Sequence, residues 1–233
     1  MSVSERGALI TLEGLEGVGK STSVRTIELL LAERGLPCIT TREPGGSHLG
    51  EKLRQLLLHS SMCSMTELLL MFAARTEHVQ TVIEPALAAG QWVVCDRFTD
   101  SSYAYQGGGR GIELETISQL EKLTLGGIVP DCTFILDLPA GVGLERAARR
   151  KENAQSLAGE SGEKTSIEPA ETVDRFENEK LLFFEQVREV FLSRAGLETR
   201  SHVVDGSGTV TQVQQRIRVE LEHFINKFLN QNH

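Results

Sequence analysis

Short apolar runs alternate along this chain with stretches whose apolar residues recur at helical spacing. Residues 8–13 read ALITLE, an aliphatic and β-branched run that meets a glycine cluster and then SVRTIELLLAERG, in which Val24, Ile27 and Leu31 share a helical face. The pattern predicts strand, loop and helix, with Gly35 closing the helix. PCITT, ending at Thr41, predicts a second strand, and REPGGSHLG, with its proline and glycines, predicts a loop. Residues 66–89 predict one long helix, capped by Thr66, kinked at Pro85 and ended by Gly90. WVVCD, CTFILDL at 132–138 and SHVVD around Val203 predict three further strands. Between the last two lies the helical GLERAARRK. Residues 209–229 predict a final helix with Val210, Val213, Ile217, Leu221, Phe224 and Phe228 on one face, and Thr209 with Gln212 forms a capping-box pattern. Strands alternating with helices imply an α/β fold in which a parallel five-stranded sheet is covered by helices on both faces.

One stretch breaks the alternation. Residues 152–171, ENAQSLAGESGEKTSIEPAE, are polar and follow neither period, so a mobile loop is expected there. With no internal repeat and no second core, the 233 residues read as a single domain, 1–233. A hydrophobic share of 40% and a charged share of 24% suit a globular core. The formal net charge of −8 argues against a nucleic acid polymer as partner. Four scattered cysteines without a CxxC pair suggest reduced thiols. The start has no apolar stretch of signal-peptide length and no run is long enough to span a membrane, so the expectation is a cytoplasmic protein without membrane attachment.

The glycine cluster carries the chemistry. Gly14, Gly19, Lys20 and Ser21 satisfy G-x-x-x-x-G-K-[ST] between a strand and a helix, the setting that a phosphate-binding P-loop requires. Glycines let successive N–H groups turn toward phosphate oxygens, and the helix adds its positive end. Residues Gly14, Leu15, Glu16, Gly17, Val18, Gly19, Lys20, Ser21 and Thr22 are therefore the candidate ATP-binding set, with Lys20 a catalytic cation and the Ser21 hydroxyl a ligand for Mg²⁺. A P-loop alone also fits GTPases and ATP-driven switches, although no N-K-x-D guanine-reading motif is present. Asp96 ends the apolar strand WVVCD at the carboxyl edge of the sheet, where it can hold the metal's water shell or orient an acceptor, and Arg97 beside it can clamp phosphate.

Three segments together resemble the thymidylate kinase family: LEGLEGVGKST at 12–22, TREPGG at 41–46 and DRFTDSSYAYQGGGRG at 96–111. The resemblance extends over the chain outside the polar insertion. It implies the P-loop NTPase fold of nucleoside monophosphate kinases, a bacterial type with lid arginines, a homodimer, and transfer of phosphate from MgATP to dTMP. It places Arg97 on the acceptor phosphate, Arg75 on the thymine edge, and Ser101, Ser102 and Gln106 along the base. Tyr105 would press on the sugar where a ribonucleotide carries its 2′-hydroxyl. Glu16 would stand near the 3′-hydroxyl, and Arg42, Glu43 and Pro44 would form the acceptor loop. The aromatic that stacks on thymine in the family falls here at Met71, with Phe72 next to it, and both remain candidates because positions three and four before Arg75 share a helix face. Lid arginines are sought in the region 146–175. Arg149 and Arg150 are favoured as catalytic, with Arg146 and Arg175 as alternatives.

Two other readings stand beside a dTMP kinase. One is a kinase for another nucleotide or a deoxynucleoside. The other is a P-loop ATPase or switch without a nucleotide acceptor.

Overall fold

The computed structural model describes residues 6–159 and 181–231. Five parallel strands form one sheet: β1 (Leu9–Glu13), β2 (Cys38–Arg42), β3 (Trp92–Asp96), β4 (Cys132–Asp137) and β5 (Ser201–Asp205), in the order β2-β3-β1-β4-β5. The expected α/β architecture with a parallel five-stranded sheet is the one observed. β1 lies at the centre, pairing Leu12 with Asp96 of β3 on one side and with Phe134 of β4 on the other. That register brings the carboxyl ends of three strands to a single edge, and the functional residues gather there.

Both faces of the sheet are buried, which explains why its strands read as continuous apolar runs instead of alternating ones. Ile10, Leu12, Trp92 and Val94 face the larger core, which includes Ile27 and Leu31 of α1 (Lys20–Glu33). Leu9, Val93 and Cys95 face a second cluster with Val79, Ile83 and Leu87. α2 (His48–His59) was not anticipated, although Leu49, Leu53, Leu56 and Leu57 carry a helical spacing.

The long helix anticipated at 66–89 is present with two corrections. It begins as α3 at Ser64 and runs to His78, with Cys63 as its N-cap residue. Thr66 instead lies in the first turn, its Oγ1 3.2 Å from Cys63 Sγ. A wider π-helical turn, Val79–Ile83, joins α3 to α4 (Glu84–Ala88), where Pro85 falls at the start. Proline has no N–H for an i−4 bond and its ring crowds the preceding turn, and the helix absorbs both by widening there.

Beyond β3 come α5 (Thr99–Ser102), a second π-helical turn (Tyr103–Gly109) and α6 (Leu114–Thr124). Gly107, Gly108 and Gly109 are thus helical, although three successive glycines by themselves suggest a hinge or loop. Gly108 and Gly109 serve close packing against α8 (Leu181–Leu197), and Gly107 packs against α6: a Cβ on Gly108 would stand 2.6 Å from Val190 Cγ2 and 3.0 Å from the Gln186 carbonyl. α7 spans Ala140–Gly159 and therefore takes in residues 152–159, which the polar pattern had assigned to a loop. Lys, Glu, Ala, Gln and Leu are good helix formers, and the helix meets no glycine or proline from Leu144 until Gly159. Residues 160–171 of that expected loop lie outside the described residues. α9 (Val210–Gln231) carries the anticipated capping box: Gln212 N donates to Thr209 Oγ1 at 3.3 Å, and Thr209 N donates to Gln212 Oε1 at 2.8 Å. Its Val210 is exposed, whereas Ile217, Leu221 and Phe224 are buried. No helix among the described residues is long and apolar enough to cross a membrane.

Candidate active site

The chain leaves β1 through a turn that only glycine accommodates at its tightest points. Gly14 has φ of 124° and Gly17 has φ of 74°, and a side chain on Gly17 would collide with the Gly143 carbonyl at the start of α7. α1 starts directly behind this turn, so its N-terminal N–H groups face the loop's interior. Lys20 Nζ lies across the loop, donating to the carbonyls of Gly14 at 3.0 Å and Leu15 at 2.7 Å. Burial first, and then the Arg97 guanidinium, push the Lys20 ammonium down to about 8.

A second tight turn follows β3. Arg97 is the one non-glycine residue with positive φ among the described residues, at 71°, a conformation that persists only where its surroundings hold it. Glu13 is part of that hold. Fully buried at the end of β1, it accepts from Phe98 N at 2.7 Å and from Ser101 Oγ at 2.6 Å. Burial, then repulsion from Asp100, raise its carboxyl to about 7.

The Arg97 side chain is thereby aimed back at the P-loop. Its Nη1 donates to the Gly14 carbonyl at 3.0 Å and to Ser101 Oγ at 3.2 Å. Its Nη2 donates to Glu16 Oε1 at 2.5 Å and to Tyr105 Oη at 3.1 Å. Burial works against ionisation of Glu16, but Arg97 and Lys20 outweigh it and hold the carboxyl below its ordinary value.

Three cavities meet around these turns. The first, about 400 Å³, is lined by Glu16, Gly17, Gly19, Lys20, Ser21 and Thr22 of the P-loop, by Arg42, Glu43, Asp96 and Arg97 from the strand ends, and by Arg54, Arg146 and Arg150 from helices. The second, about 100 Å³ and less polar, is lined by Pro44, Leu58, Met71, Ser101, Tyr105 and Gln106, and it shares Glu16, Glu43, Arg54 and Arg97 with the first. The third, about 440 Å³, shares Gly17, Gly19, Thr22 and Arg146 with the first and is closed by Gly206, Gly208, Thr209, Val210, Val213 and Gln214.

Most residues singled out in the sequence line these spaces or bond to those that do. Leu15 and Gly14 contribute carbonyls to Lys20, and Val18 lines the third cavity. Phe72, Arg75, Ser102 and Arg149 line none of the three. Phe72 is packed between Leu68, Tyr103 and Ile117, away from the second cavity that its neighbour Met71 lines. Arg75 is wholly buried behind that cavity: Nε donates to Glu43 Oε2 at 2.6 Å, Nη1 to Ser102 Oγ at 2.9 Å and Nη2 to the Phe98 carbonyl at 3.0 Å. Ser102 thus serves as a partner for Arg75. Arg149 points outward with its side chain 73% exposed and Glu145 at 3.8 Å, because consecutive helical residues diverge by about 100° and Arg150 takes the inward side. Arg175 lies outside the described residues.

Sequence reading missed Arg54, Glu13 and the 206–214 wall. Arg54 sits on α2, where its Nη1 reaches the Pro44 carbonyl at 2.9 Å, and finding that helix from its leucines would have exposed the arginine. For Glu13 the signal was an acid ending an apolar strand directly before the glycine turn.

Two groups of possible metal ligands differ in character. Asp96 Oδ1 is buried without a hydrogen-bond partner among the described residues, and Ser21 lines the same cavity; hard oxygen donors of this kind suit Mg²⁺. Glu43, His78 and Cys95 also lie within 4.8 Å of one another, but their donors are already engaged. Glu43 binds Arg75 and His78, His78 Nε2 pairs with Thr41 Oγ1 at 2.7 Å, and the Cys95 thiol donates to the Arg97 carbonyl at 3.0 Å.

A P-loop at the carboxyl edge of a parallel sheet, with a second anion-facing cavity sharing its wall, defines a P-loop phosphotransferase. A sequence model of the thymidylate kinase family matches residues 12–217. The chain is 48% identical over 216 residues to the thymidylate kinase of Ectopseudomonas mendocina, covering 91% of this chain and 93% of that protein. It is 45% identical over 223 residues to that of Teredinibacter turnerae, covering 94% and 99%. The crystal structure of thymidylate kinase from Ehrlichia chaffeensis superposes with a TM-score of 0.69 at 30% identity, covering 93% of this chain and 99% of that one. The chain belongs to the thymidylate kinase family.

Proposed function

We propose that this protein transfers the γ-phosphoryl group of ATP to dTMP, giving dTDP and ADP. The observation that carries the reading is the wall shared by the first and second cavities, with Arg97 at its centre. Phosphoryl transfer asks little covalent work of a protein; it needs donor and acceptor oxygens held in line and their charge neutralised. Lys20 and the P-loop N–H groups cradle the donor phosphates, and the third cavity beyond Gly17 takes the donor base and sugar. Arg97 and Arg54 hold the acceptor phosphate. Met71, Ser101 and Gln106 line the acceptor base, Tyr105 bounds the sugar, and Arg75 acts from behind by holding Glu43 and Ser102.

Ser21 and Asp96 would hold Mg²⁺, which when bound neutralises charge on the phosphate oxygens. Lys20, Arg97 and Arg150 face the same space from three directions, so negative charge that develops on the transferring group meets fixed cations. The whole chain acts as one kinase domain with a lid in the region 146–175, whose described part contributes Arg146 and Arg150 to the cavity.

The test is ADP release over a panel of nucleoside monophosphates and nucleosides. dTMP must give the highest kcat/KM. Clear preference for another acceptor, or ATP hydrolysis unaffected by any acceptor, overturns the assignment.

Exposed Leu49, Leu56, Met65 and Leu69 on α2 and α3 support a homodimer through that face, in a cytoplasmic protein. Light scattering should then report twice the chain mass of 25.6 kDa, and a monomer at micromolar concentration would exclude it.

A further inference from the structure

Gln106 lines the smaller cavity, yet the protein uses only half of its carboxamide. The side chain is fully buried, and its Nε2 donates to Glu67 Oε1 at 2.9 Å. Its Oε1 has no hydrogen-bond partner among the described residues. Glu67, on α3, is also fully buried, and Arg110 Nε lies 3.5 Å from its other oxygen. A carboxylate beside a guanidinium accepts hydrogen bonds and does not donate them. The amide therefore has one permitted sense, with its NH₂ toward Glu67 and its carbonyl left for whatever occupies the cavity. A buried carbonyl without a donor is costly, so a ligand that brings an N–H to that point is favoured over one that brings a lone pair.

We propose that Glu67 is a positioning residue that fixes the amide sense of Gln106 and thereby makes the acceptor cavity select a pyrimidine whose ring nitrogen carries a hydrogen. Thymine and uracil present such an N–H. Cytosine presents a lone pair at the same ring position, facing the Gln106 carbonyl oxygen. The inference rests on the reading of this cavity as the acceptor-base site. Glu67 touches no substrate in this scheme; it acts through Gln106. An acid at 67 also meets the Arg110 guanidinium, whereas a glutamine there could hydrogen-bond Gln106 in either sense.

The experiment compares dTMP with 5-methyl-dCMP, which keeps the methyl group and the sugar phosphate. Their exocyclic difference is the same for every enzyme variant and cancels when the ratio of kcat/KM values is compared between variants. Glu67→Gln should narrow the dTMP to 5-methyl-dCMP ratio by at least about tenfold, through KM for dTMP and not through kcat. The swap Glu67→Gln with Gln106→Glu restores an obligate acceptor facing the cavity, with the amide introduced at position 67 donating to it, and should recover most of the parent ratio. An unchanged ratio in Glu67→Gln, or equal losses on both substrates as a loosened helix would produce, overturns the proposal.

If Glu67→Gln shows no cooperative thermal transition, the swap variant decides: a folded swap enzyme without dTMP preference refutes it. A measurement on the parent protein needs no variant. Calorimetric affinity for 5-methyl-dCMP should rise as the pH falls toward protonation of its ring nitrogen, while affinity for dTMP does not follow; parallel behaviour of the two ligands refutes the assigned amide sense. Should the parent protein fail to phosphorylate dTMP at all, the cavity reading itself falls. If it does phosphorylate dTMP but Glu67→Gln leaves the ratio intact, only the role of Glu67 falls.

Discussion

Tyr105 donates its phenolic hydrogen to Glu16 Oε2 at 2.8 Å, and both side chains are held by the same guanidinium, that of Arg97. The Arg97 guanidinium also lies 4.9 Å from the Tyr105 ring centroid. One cation therefore ties the P-loop, the turn after β3 and the second cavity into a single unit. Arg97→Ala should lower kcat on the order of 100-fold or more, the loss typical of one charge-stabilising donor. Arg97→Lys should recover little, because a single ammonium cannot span acceptors that a planar fork reaches together. Steady-state kinetics with dTMP checks this, and near-parental turnover in Arg97→Ala would remove the residue from the chemistry.

Met71 and Phe72 separate binding from stability. Phe72 is 2% exposed and enclosed by core side chains, so Phe72→Ala should cost about 3–5 kcal/mol of folding free energy. Met71→Ala should cost less stability but raise KM for dTMP, since Met71 lines the second cavity. Thermal melts combined with KM measurements discriminate the two, and the reverse pattern would place Phe72 against the base.

Lys20 should make activity sensitive to alkali. Its folded-state value is lowered from 10.5 to about 8, so the free enzyme loses the cation above about pH 8 and kcat/KM for ATP should decline there. Stability moves the other way. Between about 8 and 10.5 the unfolded chain binds the proton that the folded chain has released, so Lys20 favours folding increasingly as the pH rises through that window. Lys20→Met should abolish both dependences, and a pH profile that Lys20→Met leaves unaltered would exclude this titration.

Glu13 acts at lower pH with a raised value, from 4.5 to about 7. Its contribution to stability is fully present below about 4.5 and is lost as the pH rises toward about 7, because the folded state holds the proton more tightly than the unfolded one. Glu13→Gln, which stays neutral, should flatten that part of the stability profile in denaturant titrations. A slope equal to the parent's would show that another group is responsible.

Gly143 packs its backbone against the P-loop. A Cβ there would stand 2.7 Å from the Glu16 carbonyl, a backbone atom that can move only by shifting the loop. Gly143→Ala should cost about 1–3 kcal/mol by overpacking and raise KM for ATP more than KM for dTMP. Equal effects on the two substrates would argue that the loop has not moved.

The strands, the P-loop and the capping box at Thr209 were legible in the sequence because each depends on local chemistry: β-branched runs, glycines at fixed offsets, a side chain reaching its own helix start. Helices failed where the local signal was mixed. α2 was obscured by the proline and glycines before it, and residues 152–159 by a polar composition that helix and loop share. A run of three glycines at 107–109 suggests a loop on local grounds, and nothing near it in the chain reveals that α8 presses onto the backbone of Gly108 and Gly109.

By itself, the order of residues determined that a glycine-rich P-loop would stand at 14–22 and that an acid and an arginine would stand at the end of the third strand. Only the tertiary structure decided that Arg150 faces the first cavity and Arg149 the solvent, that Met71 lines the second cavity and Phe72 the core, and that Arg54 lines both cavities while Glu13 braces the turn at Arg97. The reason is physical. Neighbouring positions on a helix differ by a rotation whose origin is set by what the helix packs against, and the partners that set it lie far away in sequence.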